Sequence, residues 1–251
     1  MQDESCTRIS LAELSDLRRS SACGNWWLED HGKVWLQGTG TAGALLLMHG
    51  AGAGQASDFL VAWRNALATQ GVQTLAVEFS YMQRMQQEGR RRPPPKVSVL
   101  VEELRQWHAL LSRTEGEPLW LGGKSMGGRV ASMLLAEDDL GEEVPGLVLA
   151  GYPFHPAGKP DRLRLEHWPG LHCPVLVLQG KRDPFGTQAE VEGYGLTGLA
   201  PRSLVHWLED GDHDWVARRS SGATQEGLIE EAAKVTAEFM LGHKLCSDDS
   251  P

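Results

Sequence analysis

Pro118-Leu119-Trp120-Leu121-Gly122-Gly123-Lys124-Ser125-Met126-Gly127-Gly128 reads as a buried strand, a glycine-flanked serine and the first turn of a helix. The pentapeptide Gly123-Lys124-Ser125-Met126-Gly127 fits the pattern G-x-S-x-G, in which a strand-to-helix turn lifts a serine hydroxyl clear of a sheet. Such a turn strains the serine backbone, and the residues two before and two after it must lack Cβ atoms to avoid collision. Gly123 and Gly127 meet that demand. Met126 then falls in the first helical turn, where backbone N–H groups have no intrahelical partner and can donate to an oxyanion.

Outward from this turn, short apolar runs alternate with amphipathic stretches of helical period. The runs predict strands over 44–48, 73–79, 119–122, 146–150, 174–179 and 203–208. The stretches predict helices over 58–69, opened by Ser57-Asp58 as a cap, and over 97–112, 126–137, 187–194 and about 225–241. Unbroken apolar strands imply burial on both faces, so the fold class is α/β: a mostly parallel central sheet with helices on both sides and right-handed crossovers. In the first forty residues, Ile9, Leu11, Leu14 and Leu17 suggest a short helix. Trp26-Trp27-Leu28 and the run from Lys33 to Gln37 suggest an edge hairpin. No repeat or long linker divides the 251 residues, and one domain is expected, with 1–40 as an extension or edge strands.

The charge balance of 24 basic to 33 acidic residues, net −9, repels nucleic acid and anionic membrane, so neither is expected as a partner. The longest apolar run, Ala42 to Met48, is far short of the roughly 20 residues that cross a bilayer. The start Met1-Gln2-Asp3-Glu4 is unlike a signal peptide, so a cytoplasmic location is expected. Cys6, Cys23, Cys173 and Cys246 are scattered without C-x-x-C spacing. They read as thiols, with no metal site and no cofactor indicated.

A second loop, His49-Gly50-Ala51-Gly52-Ala53-Gly54, follows the strand Leu45-Leu46-Leu47-Met48. Its small residues let a backbone N–H approach a bound carbonyl, and by position the second oxyanion donor is Ala51, with His49 as an anchor of the loop. A dinucleotide loop fits poorly, because the spacing lacks the third position of G-x-G-x-x-G. A serine nucleophile needs a base, and the base needs an orienting acid. Asp183 in Gly180-Lys181-Arg182-Asp183-Pro184-Phe185 and His213 in Asp210-Gly211-Asp212-His213-Asp214 each follow a predicted strand, in the order serine, acid, histidine. Strand ends of a parallel sheet converge, so Ser125, Asp183, His213, Ala51 and Met126 form the candidate site.

On these residues the chain resembles the α/β-hydrolase group that includes testis-expressed protein 30 and the hydrolase-like domain of the third subunit of the non-specific lethal complex. The resemblance runs from Gly43 to the C-terminus. It rests on His49 to Gly54 with Asp58-Phe59, Glu78-Phe79-Ser80-Tyr81 followed by Arg91-Arg92-Pro93-Pro94-Pro95, Gly122 to Gly128, and Tyr152-Pro153-Phe154-His155-Pro156 with Gly158-Lys159-Pro160. It implies the fold and the triad positions. Dienelactone hydrolases are similar at a greater distance, with a cysteine where Ser125 stands. One relative is a chromatin-complex scaffold, so a non-catalytic interaction protein is the competing class, discriminated by serine-directed labelling.

The reading for an enzyme is a serine carboxylesterase, with thioesterase or amidase chemistry open on the same residues. Phe154 to Cys173 is too short for a lipase-type lid, which favours small or medium soluble substrates. By position beside the strand ends, Tyr81, Tyr152 and His155 are candidate pocket residues. Arg91 and Arg92, in a stiff Arg-Pro loop, are candidates to clamp an anionic substrate group. Oligomeric state is not legible in the sequence.

Overall fold

Alternation of side chains along each strand sorts the core. On β4 (Gly43–Met48), Leu45 and Leu47 enter one apolar cluster while Ala44, Leu46 and Met48 enter the other. The computed structural model describes residues 6–137, 140 and 143–248, without the side chains of 244–248. The Met1–Glu4 start and the Cys246 side chain lie outside the described residues.

One nine-stranded sheet has the order β1-β2-β3-β5-β4-β6-β7-β8-β9. Its strands are β1 (Arg8–Ile9), β2 (Gly24–Leu28), β3 (Gly32–Gln37), β4, β5 (Val72–Val77), β6 (Leu119–Lys124), β7 (Leu147–Ala150), β8 (Val175–Gly180) and β9 (Ser203–Leu208). From β5 to β9 every pairing is parallel, whereas β3 pairs antiparallel with both β2 and β5. β4, β5, β6, β7 and β8 are buried along their whole length, which is why they read as unbroken apolar runs.

The helices are α1 (Leu11–Arg19), α2 (Asp58–Thr69), α3 (Ser80–Glu88), α4 (Val97–Leu111), α5 (Met126–Glu137), α6 (Gln188–Glu192), α7 (Leu196–Leu199) and α8 (Gln225–Asp248). Residues of α4 and α5 cover one face, in a cluster with Leu121 and Leu149. Residues of α2 and α8 cover the other, with Trp120 and Leu176. No helix among the described residues is long and apolar enough to cross a membrane. Cys6, Cys23 and Cys173 carry no disulfide.

Three local expectations change. Ser57 stands at the N-cap of α2, but its side chain makes no capping bond. The helix expected over 187–194 is shortened to α6, which ends at Glu192 before Gly193, and Gly195, at φ +62°, precedes the separate α7. α3 was not anticipated, because Ser80-Tyr81-Met82-Gln83-Arg84-Met85-Gln86-Gln87-Glu88 holds only three apolar residues among polar ones; tertiary packing of Tyr81 and Met82 selects it. Between β7 and β8 the chain forms one 3₁₀ turn, Trp168–Gly170, and no lid helix.

Candidate active site

Ser125 takes φ +51° between β6 and α5, a left-handed conformation that costs a non-glycine residue about 1–2 kcal/mol. The surroundings hold it there: Ser125 N–H donates to Ala150 O at 2.8 Å, and Arg129 N–H donates to Ser125 O at 3.1 Å. The flanking glycines are sterically required. A Cβ on Gly123 would sit 2.6 Å from Met48 O, and one on Gly127 would sit 2.7 Å from His49 O.

The loop after β9 brings His213 over this turn. Ser125 Oγ lies 3.0 Å from His213 Nε2, and His213 Nδ1 lies 2.8 Å from Asp183 Oδ2. Asp183 is fully buried and its other oxygen accepts the Phe185 N–H at 2.9 Å. A carboxylate only accepts, so Nδ1 carries the imidazole hydrogen and Nε2 is left to accept from the serine hydroxyl. The ring of Phe185 packs on the imidazole at 4.5 Å between centroids.

The loop that carries His213 is anchored from three sides. Asp210 accepts Arg218 N–H at 2.7 Å and pairs with Arg182, and the hydrogen bond from Arg218 is the main cause that lowers its carboxyl to about 2. Trp215, fully buried, stacks edge-on against Phe59 and Trp63 of α2. The third anchor is Lys124, the residue just before Ser125. Its ammonium donates to His213 O and lies 3.2 Å from Asp214 Oδ1 and 5.2 Å from the Phe59 ring centroid. Burial lowers the Lys124 pKa, opposed by the charges of Asp214, Asp183 and Asp212. One side chain thus joins the serine turn to the histidine loop.

On the opposite side of Ser125, His49 fastens the Gly50–Gly54 loop. Its Nδ1–H donates to Gly50 O at 2.6 Å and its Nε2 accepts the Phe79 N–H at 3.1 Å. Burial holds His49 at about 4, so the ring is neutral. Ala51 N–H enters no hydrogen bond among the described residues, and Met126 N–H is at the first position of α5.

Residues 41–241 match the family described as "Alpha/beta hydrolase domain". The chain belongs to that family. Among solved structures, this α/β-hydrolase is similar to Est1E from Butyrivibrio proteoclasticus at TM-score 0.64 and 12% identity, covering 88% of this chain and 99% of that one. It is similar to a dienelactone hydrolase from Anabaena variabilis at TM-score 0.64 and 19% identity, covering 88% and 96%. A monoacylglycerol lipase from Paleococcus ferrophilus gives 0.58 at 14% identity, covering 84% and 99%. At these identities the likeness is one of fold.

Of the expected site residues, the hydrolase brings Ser125, Asp183 and His213 into contact, with Met126 next to the serine at the start of α5 and Ala51 in the loop after β4. Tyr81 supports the Gly50–Gly54 loop: 5% exposed, its hydroxyl donates to Ala51 O at 2.9 Å. Tyr152 does not line a pocket. It is fully buried against Phe154 and Trp168, its hydroxyl donating to Arg164 O and accepting from Trp168 Nε1. His155 is also buried, its Nδ1 bonded to Pro156 O at 2.9 Å. Both belong to a strand-end segment that folds back into the core because aromatic area outweighs their polar tips. Arg91 and Arg92 are exposed in the segment after α3, and Arg92 pairs with Glu88 one turn away. Lys124 was passed over because the second position of G-x-S-x-G carries no steric demand; only tertiary proximity to His213 reveals its part.

Proposed function

We propose that this α/β-hydrolase is a serine esterase acting on carboxylic esters of small or medium size. The observation that carries the reading is the hydrogen-bonded line Ser125–His213–Asp183, with 3.0 and 2.8 Å links. His213 Nε2 takes the proton of Ser125 Oγ as the oxygen attacks the ester carbonyl. Asp183, dry and already bonded to Phe185 N–H, orients the imidazole and stabilises the imidazolium. The negative oxygen of the tetrahedral intermediate is received by the N–H groups of Ala51 and Met126, the latter at the positive end of the α5 dipole. His213 returns the proton to the leaving alcohol, and water then cleaves the acyl-serine by the same path in reverse. The short β7–β8 connection leaves no lid to open, which suits soluble substrates over lipid aggregates.

A serine-directed fluorophosphonate tests this reading. Labelling at Ser125 that disappears in Ser125→Ala and falls strongly in His213→Ala, with p-nitrophenyl ester hydrolysis lost in parallel, is the expected result. A folded wild-type chain that neither labels nor hydrolyses refutes the enzyme reading and leaves an interaction protein. A panel of oxygen esters, thioesters and amides on the wild type then separates esterase from thioesterase and amidase.

A further inference from the structure

The run Glu78-Phe79-Ser80-Tyr81, directly after β5, takes no part in the scheme above, yet three of its residues grip the loop that follows β4. Glu78, fully buried, accepts the Gln55 N–H at 2.7 Å. Phe79 N–H donates to His49 Nε2 at 3.1 Å. The Tyr81 hydroxyl donates to Ala51 O at 2.9 Å and lies 3.4 Å from Gly50 O. Ser80 fixes the run itself, its N–H and hydroxyl donating to the two carboxylate oxygens of Glu103 on α4 at 2.8 and 2.9 Å. Tyr81 is therefore a buried donor on a fixed base. Burial, and then the charges of Glu78 and Glu103, push its phenol above its ordinary value, so the hydroxyl keeps the hydrogen that it donates.

A trans peptide is planar, with its C=O and N–H pointing in opposite directions. His49 Nδ1–H holds the Gly50 carbonyl at 2.6 Å, so the Ala51 N–H of the same peptide is turned away from His49. Tyr81 holds the next plane through Ala51 O, and among the described residues its hydroxyl is the one donor to that oxygen. Both peptide planes that meet at Ala51 are thus pinned from outside the loop. The loop needs this, because Ala51, Gly52 and Ala53 are small and exposed and offer no polar side chain to fix their own backbone. It also runs against the serine turn: a Cβ on Gly50 would lie 3.7 Å from Lys124 O and 3.9 Å from Ser125 Cβ.

We infer that Tyr81 is a positioning residue for the oxyanion site, fixing through Ala51 O the backbone that presents the Ala51 N–H to the ester oxygen. The inference rests on the esterase reading above and assigns Tyr81 to transition-state stabilisation instead of substrate contact. Its loss therefore lowers kcat and leaves KM alone.

Tyr81→Phe deletes the hydroxyl and keeps the ring against Phe79 and His49. The variant is expected to hydrolyse 4-nitrophenyl butyrate with kcat lower by about tenfold and KM within about twofold, a part of the roughly 100-fold that loss of a whole oxyanion donor costs. Phenylboronic acid reads the same site without turnover. Ser125 Oγ bonds to boron, the hydroxyl proton passes to His213, and an oxygen of the four-coordinate boron anion takes the oxyanion place. Its affinity is expected to fall by about the same tenfold. Met82→Ala, which trims a core contact of the same helix, is expected to melt lower yet keep wild-type kcat and boronate affinity. Wild-type boronate affinity or kcat in Tyr81→Phe, or equal losses in Met82→Ala, overturns the inference. A wild type that cleaves no ester refutes the esterase reading, and calorimetric titration with phenylboronic acid then decides on Tyr81. Binding weakened about tenfold in Tyr81→Phe upholds the positioning role, whereas equal or absent binding overturns it.

Discussion

His49 is the most sharply quantifiable feature of the site. Folded, it keeps its neutral ring down to about pH 4, because burial penalises the charge and Nε2 is already committed as acceptor to Phe79 N–H. Unfolded, it titrates near its ordinary 6.5. Between those values the unfolded chain binds more protons, so stability falls as the pH falls from 6.5 toward 4. At pH 5 this one ring costs about 2 kcal/mol relative to pH 7, on the scale of about 1.4 kcal/mol per pKa unit. His167, also near 4 but partly exposed, adds a smaller share of the same sign. The perturbation is His49→Gln, which cannot titrate. Urea unfolding at pH 7 and pH 5 gives two stabilities for each protein. The wild type is expected to lose about 2 kcal/mol more than the variant over that interval, whatever the variant's stability at pH 7. Equal losses in both would refute the claim that His49 is buried as a neutral acceptor beneath the Gly50–Gly54 loop.

Lys124→Met keeps the buried stem and deletes the ammonium that holds His213 O. A charge-assisted hydrogen bond of about 1.5–3 kcal/mol corresponds to a kcat lower by about 10–100-fold with KM little changed, and a wild-type kcat would exclude the positioning role. Gly123→Ala forces a methyl to 2.6 Å from Met48 O, where backbone cannot yield. A loss of about 2–3 kcal/mol, near 5–10 °C in melting temperature, is expected by calorimetry, while Gly52→Ala, with open space around it, should melt like the wild type.

The α/β layering was legible because β4 to β8 are buried on both faces, so their apolar runs are unbroken and cannot be mistaken for amphipathic helices. The Ser125 turn was legible because a tight strand-to-helix turn leaves a glycine signature, set by Cβ collisions that hold wherever such a turn occurs. Asp183 and His213 were legible through position and order, since parallel strands deliver their C-terminal loops to one edge. Composition and periodicity also failed in specific ways. α3 has few apolar residues and exists because Tyr81 and Met82 find a core to enter.

What the tertiary structure alone decided is where side chains go once the loops meet. Tyr152 and His155 stand at a strand end, as the sequence reading had them, yet the β7–β8 segment folds them inward among Phe154 and Trp168. Lys124, just before the serine, carries no sequence signal of its own. The partner of Lys124, the His213 carbonyl, is remote along the chain, and local sequence constrains backbone geometry far more tightly than it constrains which distant groups a long, flexible side chain will meet. The chain thus encodes its serine turn locally, and the positioning of His213 arises from contacts between elements.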